Sequence, residues 1–386
     1  MLEFMDNLGR KQGPGHARGL SRRQFVGLAA TAGAGLLGAS ALSGCSRVSE
    51  LITGKRELID DVGRLVSLPA TGVLNSIYFT SPLAQVFCFT LAPELLAGTS
   101  ILFNPEQLEF LPEETGSLEY MGSLSRGGSV NTDMLKTRKV QVIFSISGTD
   151  LTDVNIEQAL ALEKQTGIPV FLIDGSFDVI GDTYRLLGKS LGREDRAEGL
   201  ASFCEEIYQR VTDAVAAVPE HELVSYYYAE GPEGLFTETD ASQHSLAFKV
   251  ARGVNAAAPL GEVSGTQVMT PVEIEKLRDW DPDIIITADS HGFNGMANAY
   301  GFITAASAYA DLRAVKDGNV VSMPSLPFAF CDYPPGLNRF LGIQWLANLF
   351  YPSYYDVDMV EVVREFYAKC YWRTLDREQA LRILAG

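Results

Sequence analysis

Short apolar runs typical of buried strands alternate along the chain with stretches in which apolar residues recur at helical spacing. The most regular helical stretch runs from Arg193 to Val218, near the middle of the chain, and Pro219 ends it. Series of strand and helix patterns lie on both sides of it, as in parallel β/α units. We therefore predict an α/β fold in which two lobes, each with a parallel sheet, are joined by this one long helix. The alternative is that the helix covers one face of a single large sheet.

This pattern divides the chain into five segments. They are a leader over residues 1–44, a polar tether over 45–56, an N-terminal α/β lobe over 57–192, the linker helix over 193–218 and a C-terminal α/β lobe over 219–386. Both lobes are expected to be Rossmann-like, with helices on the faces of parallel strands. Two lobes joined by a rod leave a cleft between them, and clefts commonly bind small ligands.

Composition narrows the classes of function. The chain has 386 residues, 46% of them hydrophobic, and a formal net charge of −17. So acidic a protein repels nucleic acid, and we expect no nucleic-acid partner. The five cysteines include no Cys-x-x-Cys pair and only four histidines are present, so neither a disulfide framework nor a histidine-rich metal site is indicated. We expect no resident cofactor and no direct metal ligand.

The leader carries two short motifs in succession. The first, Ser21-Arg22-Arg23-Gln24-Phe25-Val26, resembles a twin-arginine export signal and opens a run rich in Ala and Gly. The second, Leu42-Ser43-Gly44-Cys45, resembles a bacterial lipobox. These resemblances imply export by the twin-arginine route, cleavage before Cys45 and a lipid on its sulfur that anchors the protein to the outer face of the cell membrane. An uncleaved anchor with a chance cysteine is the alternative.

Candidate ligand contacts come from the carboxyl ends of the predicted strands, where open α/β sheets bind ligands. One further loop, from Ser325 to Pro335, combines prolines with three aromatic residues that offer a flat apolar surface. The residues that we predict to contact a ligand are Tyr78, Phe79, Ser81, Tyr120, Ser147, Tyr228, His291, Phe328, Phe330 and Tyr333. Ordinary turn chemistry of Ser, Thr and Gly, and a solvated histidine, are the alternatives.

An acidic residue stands at an equivalent place in each predicted lobe. Asp133 precedes Leu135 by two residues and the strand residue Ile143 by ten, and Glu275 has the same spacing to Leu277 and Ile285. Helix-start acids are also favoured by the helix dipole alone, so the pattern is compatible with a structural role.

Several separated segments resemble one family. The opening Asp-Asp-x-Gly-Arg-x-Val-x-Leu-Pro over residues 60–69 is similar to the start of the solute-binding proteins of ABC importers for ferric siderophores, haem and cobalamin. Segments 309–323 and 337–352 also match, so the resemblance extends from residue 57 to about residue 375. It implies a monomeric receptor, not an enzyme, that delivers a solute to a permease dimer with its ATPase. It also implies that Asp133 and Glu275 dock against permease arginines.

The sequence indicates the identity of the solute less directly than it indicates the family. Aromatic residues in the predicted cleft loops favour a metal chelate, and we take an iron complex, a ferric siderophore or haem, as the first expectation. Molybdate or tungstate, or cobalamin, bound by the same kind of receptor is the alternative. An exported enzyme is a further alternative, although the sequence has no Gly-x-Ser-x-Gly elbow, no His-Glu-x-x-His helix and no phosphate-binding glycine loop.

Overall fold

The structure, a computed structural model, describes residues 54–149, 151–261, 269–288 and 299–385, apart from the side chain of Arg126. The export residues Arg22 and Arg23, the lipidation candidate Cys45 and the ligand candidate His291 lie outside the described residues. Among the described residues, no helix combines the length and the apolar character that crossing a bilayer requires.

The described chain begins with an antiparallel hairpin. Strand β1 (Lys55–Ile59) pairs with β2 (Leu65–Pro69). The alternation of apolar and polar residues around a Gly-containing turn over positions 57–69 predicts this hairpin. The carboxylate of Asp60 closes the turn by accepting hydrogen bonds from the backbone N–H of Arg64 at 2.9 Å and from its Nε at 2.8 Å. Arg64 also donates to the carbonyl of Val170 at 2.6 Å, which ties the hairpin to the sheet behind it.

The first lobe is built on a parallel sheet with the strand order β3-β4-β5. Its strands are β3 (Ile77–Phe79), β4 (Val142–Ser147) and β5 (Val170–Asp174). The helices of this half are α1 (Pro82–Leu91), α2 (Pro105–Glu109), α3 (Thr132–Thr137), α4 (Asp153–Thr166) and α5 (Ile180–Leu191). The strands are apolar over most of their length because both faces of the sheet are covered.

The predicted linker is one helix, α6 (Glu194–Ala216). Its apolar face, which includes Leu200, Ile207 and Val211, is buried. The helix packs against α5 and against a helix of the second lobe over Arg339–Phe350. The helix ends just before Pro219, which cannot continue it.

The second lobe also has a parallel sheet. The strands of this half are β6 (Ser225–Ala229), β7 (Phe236–Thr237), β8 (Val254–Asn255), β9 (Thr270–Pro271), β10 (Ile284–Thr287) and β11 (Val320–Ser322). Strands β11, β10, β6 and β8 form the parallel sheet in that order, and β7 and β9 form a separate antiparallel pair. The helices are α7 (Leu246–Val250), α8 (Ile274–Trp280), α9 (Tyr300–Ala305), α10 (Arg313–Lys316), α11 (Arg339–Phe350), α12 (Met359–Cys370) and α13 (Arg377–Leu384). The α/β fold with two parallel sheets and a connecting helix is therefore confirmed.

One hydrophobic core runs through both lobes, and each sheet carries a smaller cluster on its other face. The three consecutive tyrosines of β6 illustrate the division. Tyr226 and Tyr228 belong to the shared core and Tyr227 to the smaller cluster, because side chains alternate across a strand. The strand pattern predicts only that the three side chains do not all point to the same face of the sheet. In the structure all three are buried.

The hydrophobic pattern predicts a strand near Val73 to Tyr78 and, after it, a helix that runs to about Leu96, and one boundary of each differs in the structure. The strand expected from Val73 to Tyr78 begins only at Ile77, because the side-chain carbonyl of Gln141 accepts the N–H groups of Asn75 at 2.8 Å and Ser76 at 3.1 Å. These N–H groups are thereby taken out of the strand ladder. Helix α1, expected to reach Leu96, ends at Leu91, because the following residue, Ala92, precedes Pro93 and is held out of the helical region.

Candidate functional site

A cavity of about 300 Å³ lies between the two lobes. The first lobe contributes the loop between β3 and α1, the end of β4 and one face of α4, and the second contributes the loop before α7 and the end of the Ser325–Pro335 loop. Its lining residues are Thr80, Ser81, Pro82, Leu83, Leu124, Ser125, Ser145, Ile146, Gly148, Asn155, Gln158, Gln243, His244, Tyr333, Pro334 and Pro335. Among these side chains none is acidic, and most polar ones are neutral hydroxyls or amides.

The N-terminus of α1 opens onto this cavity. Ser81 is its N-cap, and the Ser81 hydroxyl accepts a hydrogen bond from the backbone N–H of Ala84 at 3.2 Å. Pro82 occupies the first turn, which holds no acidic residue. The Thr80 hydroxyl beside it donates to the hydroxyl of Ser145 at 3.2 Å. The positive end of the helix dipole is therefore directed at the cavity without a nearby carboxylate in its own first turn.

The opposite wall contains a histidine held by an acid. The Nδ1 of His244 is hydrogen-bonded to Oδ1 of Asp332, and the hydroxyl of Tyr228 donates to Oδ2 of the same carboxylate at 3.1 Å. The side chains of His244 and Asp332 are only 14% and 7% exposed. Since Nδ1 is occupied, Nε2 is the ring nitrogen that remains for a ligand.

The charge of His244 reflects two opposed effects. Burial disfavours the imidazolium, but the carboxylates of Asp332 and Glu238 outweigh burial and the repulsion from Arg339, so the pKa of His244 is raised above its usual value. The ring is therefore protonated to a greater extent near neutral pH than a solvated histidine, and it then presents an N–H donor with positive charge.

Two more buried groups surround this pair. Burial raises the pKa of Glu238 to about 7. Arg339 is almost completely buried, and it donates to the carbonyl of Gln243 at 2.6 Å and to the carbonyl of Cys331 at 3.2 Å. Burial lowers the pKa of Arg339 to about 10, which still leaves it charged at neutral pH. Arg339 thereby fastens together the two second-lobe loops that reach the cavity.

The structure brings two of the predicted ligand residues, Ser81 and Tyr333, to the cavity. Tyr228 does not line the cavity, but its hydroxyl is hydrogen-bonded to Asp332, which in turn contacts the lining residue His244. Tyr120 is exposed and Ser147 half-buried, and neither lines the cavity.

Four predicted aromatic contacts are core residues instead. The hydroxyl of Tyr78 donates to the carbonyl of Gly122, and the ring of Phe79 stacks on Phe144 at 5.2 Å between centroids. Phe328 packs against other aromatic rings of the core, and Phe330 is likewise fully buried. In this conformation none of the four lines the cavity, and Tyr333 is the aromatic residue among the lining side chains.

The sequence prediction missed Gln243, His244 and Asp332. His244 stands just before the helix that the hydrophobic pattern predicts around Ser245 to Arg252, and not after a strand, so the rule of strand ends does not select it. Its partner Asp332 is 88 residues away, and no local spacing connects the two. For His244 the sequence contains one weak indication of a site, which is that a polar residue stands directly before a predicted helix of the second lobe.

The two docking candidates occupy matching positions. Asp133 lies in the first turn of α3 and Glu275 in the first turn of α8, and both are exposed. A guanidinium nitrogen of Arg278 is 3.9 Å from the Glu275 carboxylate, which is a weak surface pair. Both carboxylates therefore remain accessible to a partner.

The described residues give no indication of a bare metal centre. In this part of the chain no group of three or more His, Cys, Asp or Glu side chains could hold a metal ion. Cys88, Cys204, Cys331 and Cys370 are buried and form no disulfide.

Comparison with known proteins gives consistent matches. The model of a family described as periplasmic binding protein matches residues 128–327, a little over half of the chain. The molybdate-binding protein MolA of Haemophilus influenzae is 25% identical over 288 residues, which cover 69% of this chain and 76% of that protein.

Solved structures resemble the whole described fold. An ABC transporter solute binding protein from Sulfurospirillum deleyianum has a TM-score of 0.74 at 24% identity, covering 85% of this chain and 98% of that one. CeuE from Helicobacter pylori, in a complex with Ni-His, has a TM-score of 0.63 at 14% identity, covering 86% and 100% of the two chains. The chain belongs to the periplasmic binding protein family.

Proposed function

We propose that this binding protein captures a small oxyanion of the molybdate and tungstate class in the cavity between its lobes and delivers it to an ABC permease. The observation that carries the proposal is the pairing, across one small cavity, of the N-terminus of α1 with the buried His244. Both supply positive potential and hydrogen-bond donors to the same space.

An oxyanion that leaves water must find its lost hydrogen bonds in the site. The hydroxyls of Ser81, Ser125 and Ser145 and the amides of Asn155 and Gln158 can donate to it. The Oε1 of Gln243 is buried and has no hydrogen-bond partner among the described residues, and a half-turn of this amide would present its NH₂ group instead. A doubly charged anion would thus be held by many neutral donors and one cation.

The size of the cavity and the similarity to MolA support the same class. Small-molecule sites range from roughly 300 to 1,000 Å³, so this cavity of about 300 Å³ is at the lower end. The match to the molybdate-binding protein MolA covers 69% of this chain.

The iron complex that the sequence favoured remains a second candidate. It rested on aromatic residues in the cleft, and among the described side chains that line the cavity Tyr333 is the aromatic one. A ferric siderophore or haem would therefore require a wider separation of the lobes. The cobalamin alternative requires the same.

Binding to the purified full chain tests the proposal. At a hundred times its dissociation constant a ligand stabilises the folded state by roughly 2.7 kcal/mol, so the unfolding midpoint is expected to rise with molybdate or tungstate. His244→Gln is expected to weaken molybdate binding roughly 10- to 100-fold, because it removes a charged donor. His221→Gln is the matched control, since that histidine is 81% exposed and does not line the cavity.

A rise in the midpoint with haem, cobalamin or a ferric siderophore, and none with either oxyanion, would contradict the oxyanion assignment and favour the chelate. Equal molybdate affinity in the wild type and in His244→Gln would also count against it.

The proposal includes the route to the membrane. The motifs around Arg22, Arg23 and Cys45 support export by the twin-arginine pathway and a lipid anchor on Cys45. The protein would then act as a monomer, close to a permease dimer and its ATPase.

A further inference from the structure

A cluster of buried charged groups lies directly behind the cavity wall. His244 contacts Asp332, whose other carboxylate oxygen accepts from Tyr228 at 3.1 Å. Glu238 is buried beside this pair, and Arg339 is buried behind it. Of these five groups, His244 is the one that lines the cavity, so the others act on a ligand through it.

The geometry gives Asp332 a defined relation to the ring. A carboxylate is an acceptor, so the Nδ1 of His244 must carry a proton and donate it to Asp332. This fixes the orientation of the imidazole and leaves Nε2 on the other edge of the ring. A second acid, Glu238, adds negative potential at the same place.

We propose that Asp332 and Glu238 are positioning residues that hold His244 as an imidazolium with its Nε2–H available to the cavity, so that the protein binds its oxyanion more tightly at acidic than at alkaline pH. The inference rests on the proposed function, because it assigns the positive charge of that same site.

The direction of the pH effect follows from the groups that face His244. Asp332 and Glu238 favour its protonation and Arg339 opposes it, and the net pKa of His244 is raised. As the pH rises through that raised value, the ring loses its charge. Over the same range Glu238, with its pKa of about 7, becomes negatively charged. The lost imidazolium charge and the new carboxylate charge both weaken the binding of an anion, while the ionised Glu238 moves the loss of the His244 proton to higher pH.

The first test is the titration of the histidine rings in the ligand-free full chain, followed by NMR. The His244 signal is identified by its absence in His244→Gln. In the wild type its midpoint is expected above the ordinary value of about 6.5. Asp332→Asn is expected to lower this midpoint by roughly one unit or more, because the charged neighbour is removed. Glu238→Gln is expected to lower it by a smaller amount, and it serves as the second variant should Asp332→Asn fail to fold.

The chain offers a matched control in an exposed pair of the same type. His221 Nε2 is 3.6 Å from the carboxylate of Glu222, but that histidine is 81% exposed. Water screens such a pair, so Glu222→Gln is expected to leave the His244 midpoint and the molybdate affinity close to their wild-type values.

The second test is molybdate affinity between pH 6 and pH 9. The wild type is expected to lose roughly tenfold or more in affinity across this range. In Asp332→Asn the loss is expected to begin at a lower pH, with the affinity approaching that of the wild type at the acidic end. A merely structural role for Asp332 would lower the affinity by the same factor at every pH.

The two tests separate the inference from the function on which it rests. An unchanged His244 midpoint in both Asp332→Asn and Glu238→Gln, or a pH-independent wild-type affinity, would overturn the inference. Absence of molybdate binding by the wild type at every pH would instead overturn the oxyanion assignment. The ring titration needs no ligand, so it decides the positioning role of the two acids in either case.

Discussion

Gly148 stands where the first lobe meets the second at the edge of the cavity. A Cβ atom at this position would lie 2.7 Å from Cδ1 of Leu83, 3.3 Å from Oε1 of Gln243 and 3.7 Å from the carbonyl oxygen of Pro335. The last two atoms belong to the second lobe. The backbone of Gly148 does not have a positive φ, so other residues could adopt its conformation. The neighbouring atoms, and not the backbone conformation, therefore restrict which side chain can be accommodated at this position.

We expect Gly148→Ala to weaken molybdate binding by about tenfold, or roughly 1.4 kcal/mol, because the added methyl group pushes Gln243 and the second-lobe loop away from the first lobe. Calorimetric titration of the full chain measures this. Gly116→Ala is the control, since an added Cβ there meets no atom within 4 Å. Equal affinities for the two variants would show that the lobes do not close against Gly148.

Single site residues were only partly predictable. Ser81 and Tyr333 were identified because position relative to a strand or within a loop is visible in the sequence. The same reasoning places Phe79 and Phe328 in the cleft. Both rings are instead buried in the core, because the parallel sheets are covered on both faces. The contact between His244 and Asp332 depends on the tertiary fold, and a single sequence contains no local signal for it.

Helix α1 begins next to a residue, Ser81, that has a structural role and also lines the proposed binding cavity. The Ser81 hydroxyl caps the helix through the N–H of Ala84, and the same residue lines the cavity. Substitution there should therefore change two quantities that are separable by measurement, the free energy of unfolding and the affinity for the oxyanion.

Ser81→Ala is expected to lower the free energy of unfolding by about 1 kcal/mol, the usual effect of losing an N-cap, and also to weaken molybdate binding. Denaturant unfolding and calorimetry measure the two effects. Asp376→Ala is the matched control, because Asp376 caps α13 through the N–H of Gln379 at 2.8 Å and does not line the cavity. Asp376→Ala is expected to lower the free energy of unfolding and to leave the molybdate affinity unchanged. A similar loss of affinity in both variants would mean that Ser81 acts only through helix stability.

At the level of elements the sequence was more informative. The periodicity of apolar residues predicts the linker helix, the hairpin and the apolar strands. The structure contains all of these elements, and it differs from the prediction mainly in where some of them begin or end. The differences arise from specific side chains. Gln141 takes the N–H groups that would have extended β3, and Pro93 stops α1 early. Neither the rotamer of a distant glutamine nor its choice of partner can be deduced from a hydrophobic pattern.

The whole molecule repeats one arrangement in its two halves. Each lobe has a parallel sheet and a short helix with an exposed acid in its first turn, Asp133 on α3 and Glu275 on α8. The repeated placement of the two acids was visible in the sequence as equal spacing to the following strand, and we propose that both contact the permease. Neither residue lines the cavity, so docking and ligand binding should be independent.

Replacing Asp133 and Glu275 together by alanine is expected to reduce uptake roughly tenfold or more while leaving molybdate affinity unchanged, since loss of a charged contact affects only the complex with the permease. Uptake in cells that express the cognate permease, with calorimetry of the purified variant, measures both quantities. Glu361 and Glu378 provide the matched control, because they are exposed acids in the first turns of α12 and α13. Unchanged uptake in the first variant, or an equal loss in the control, would refute docking through the paired acids. Loss of affinity together with uptake would show that the two acids support the cavity instead.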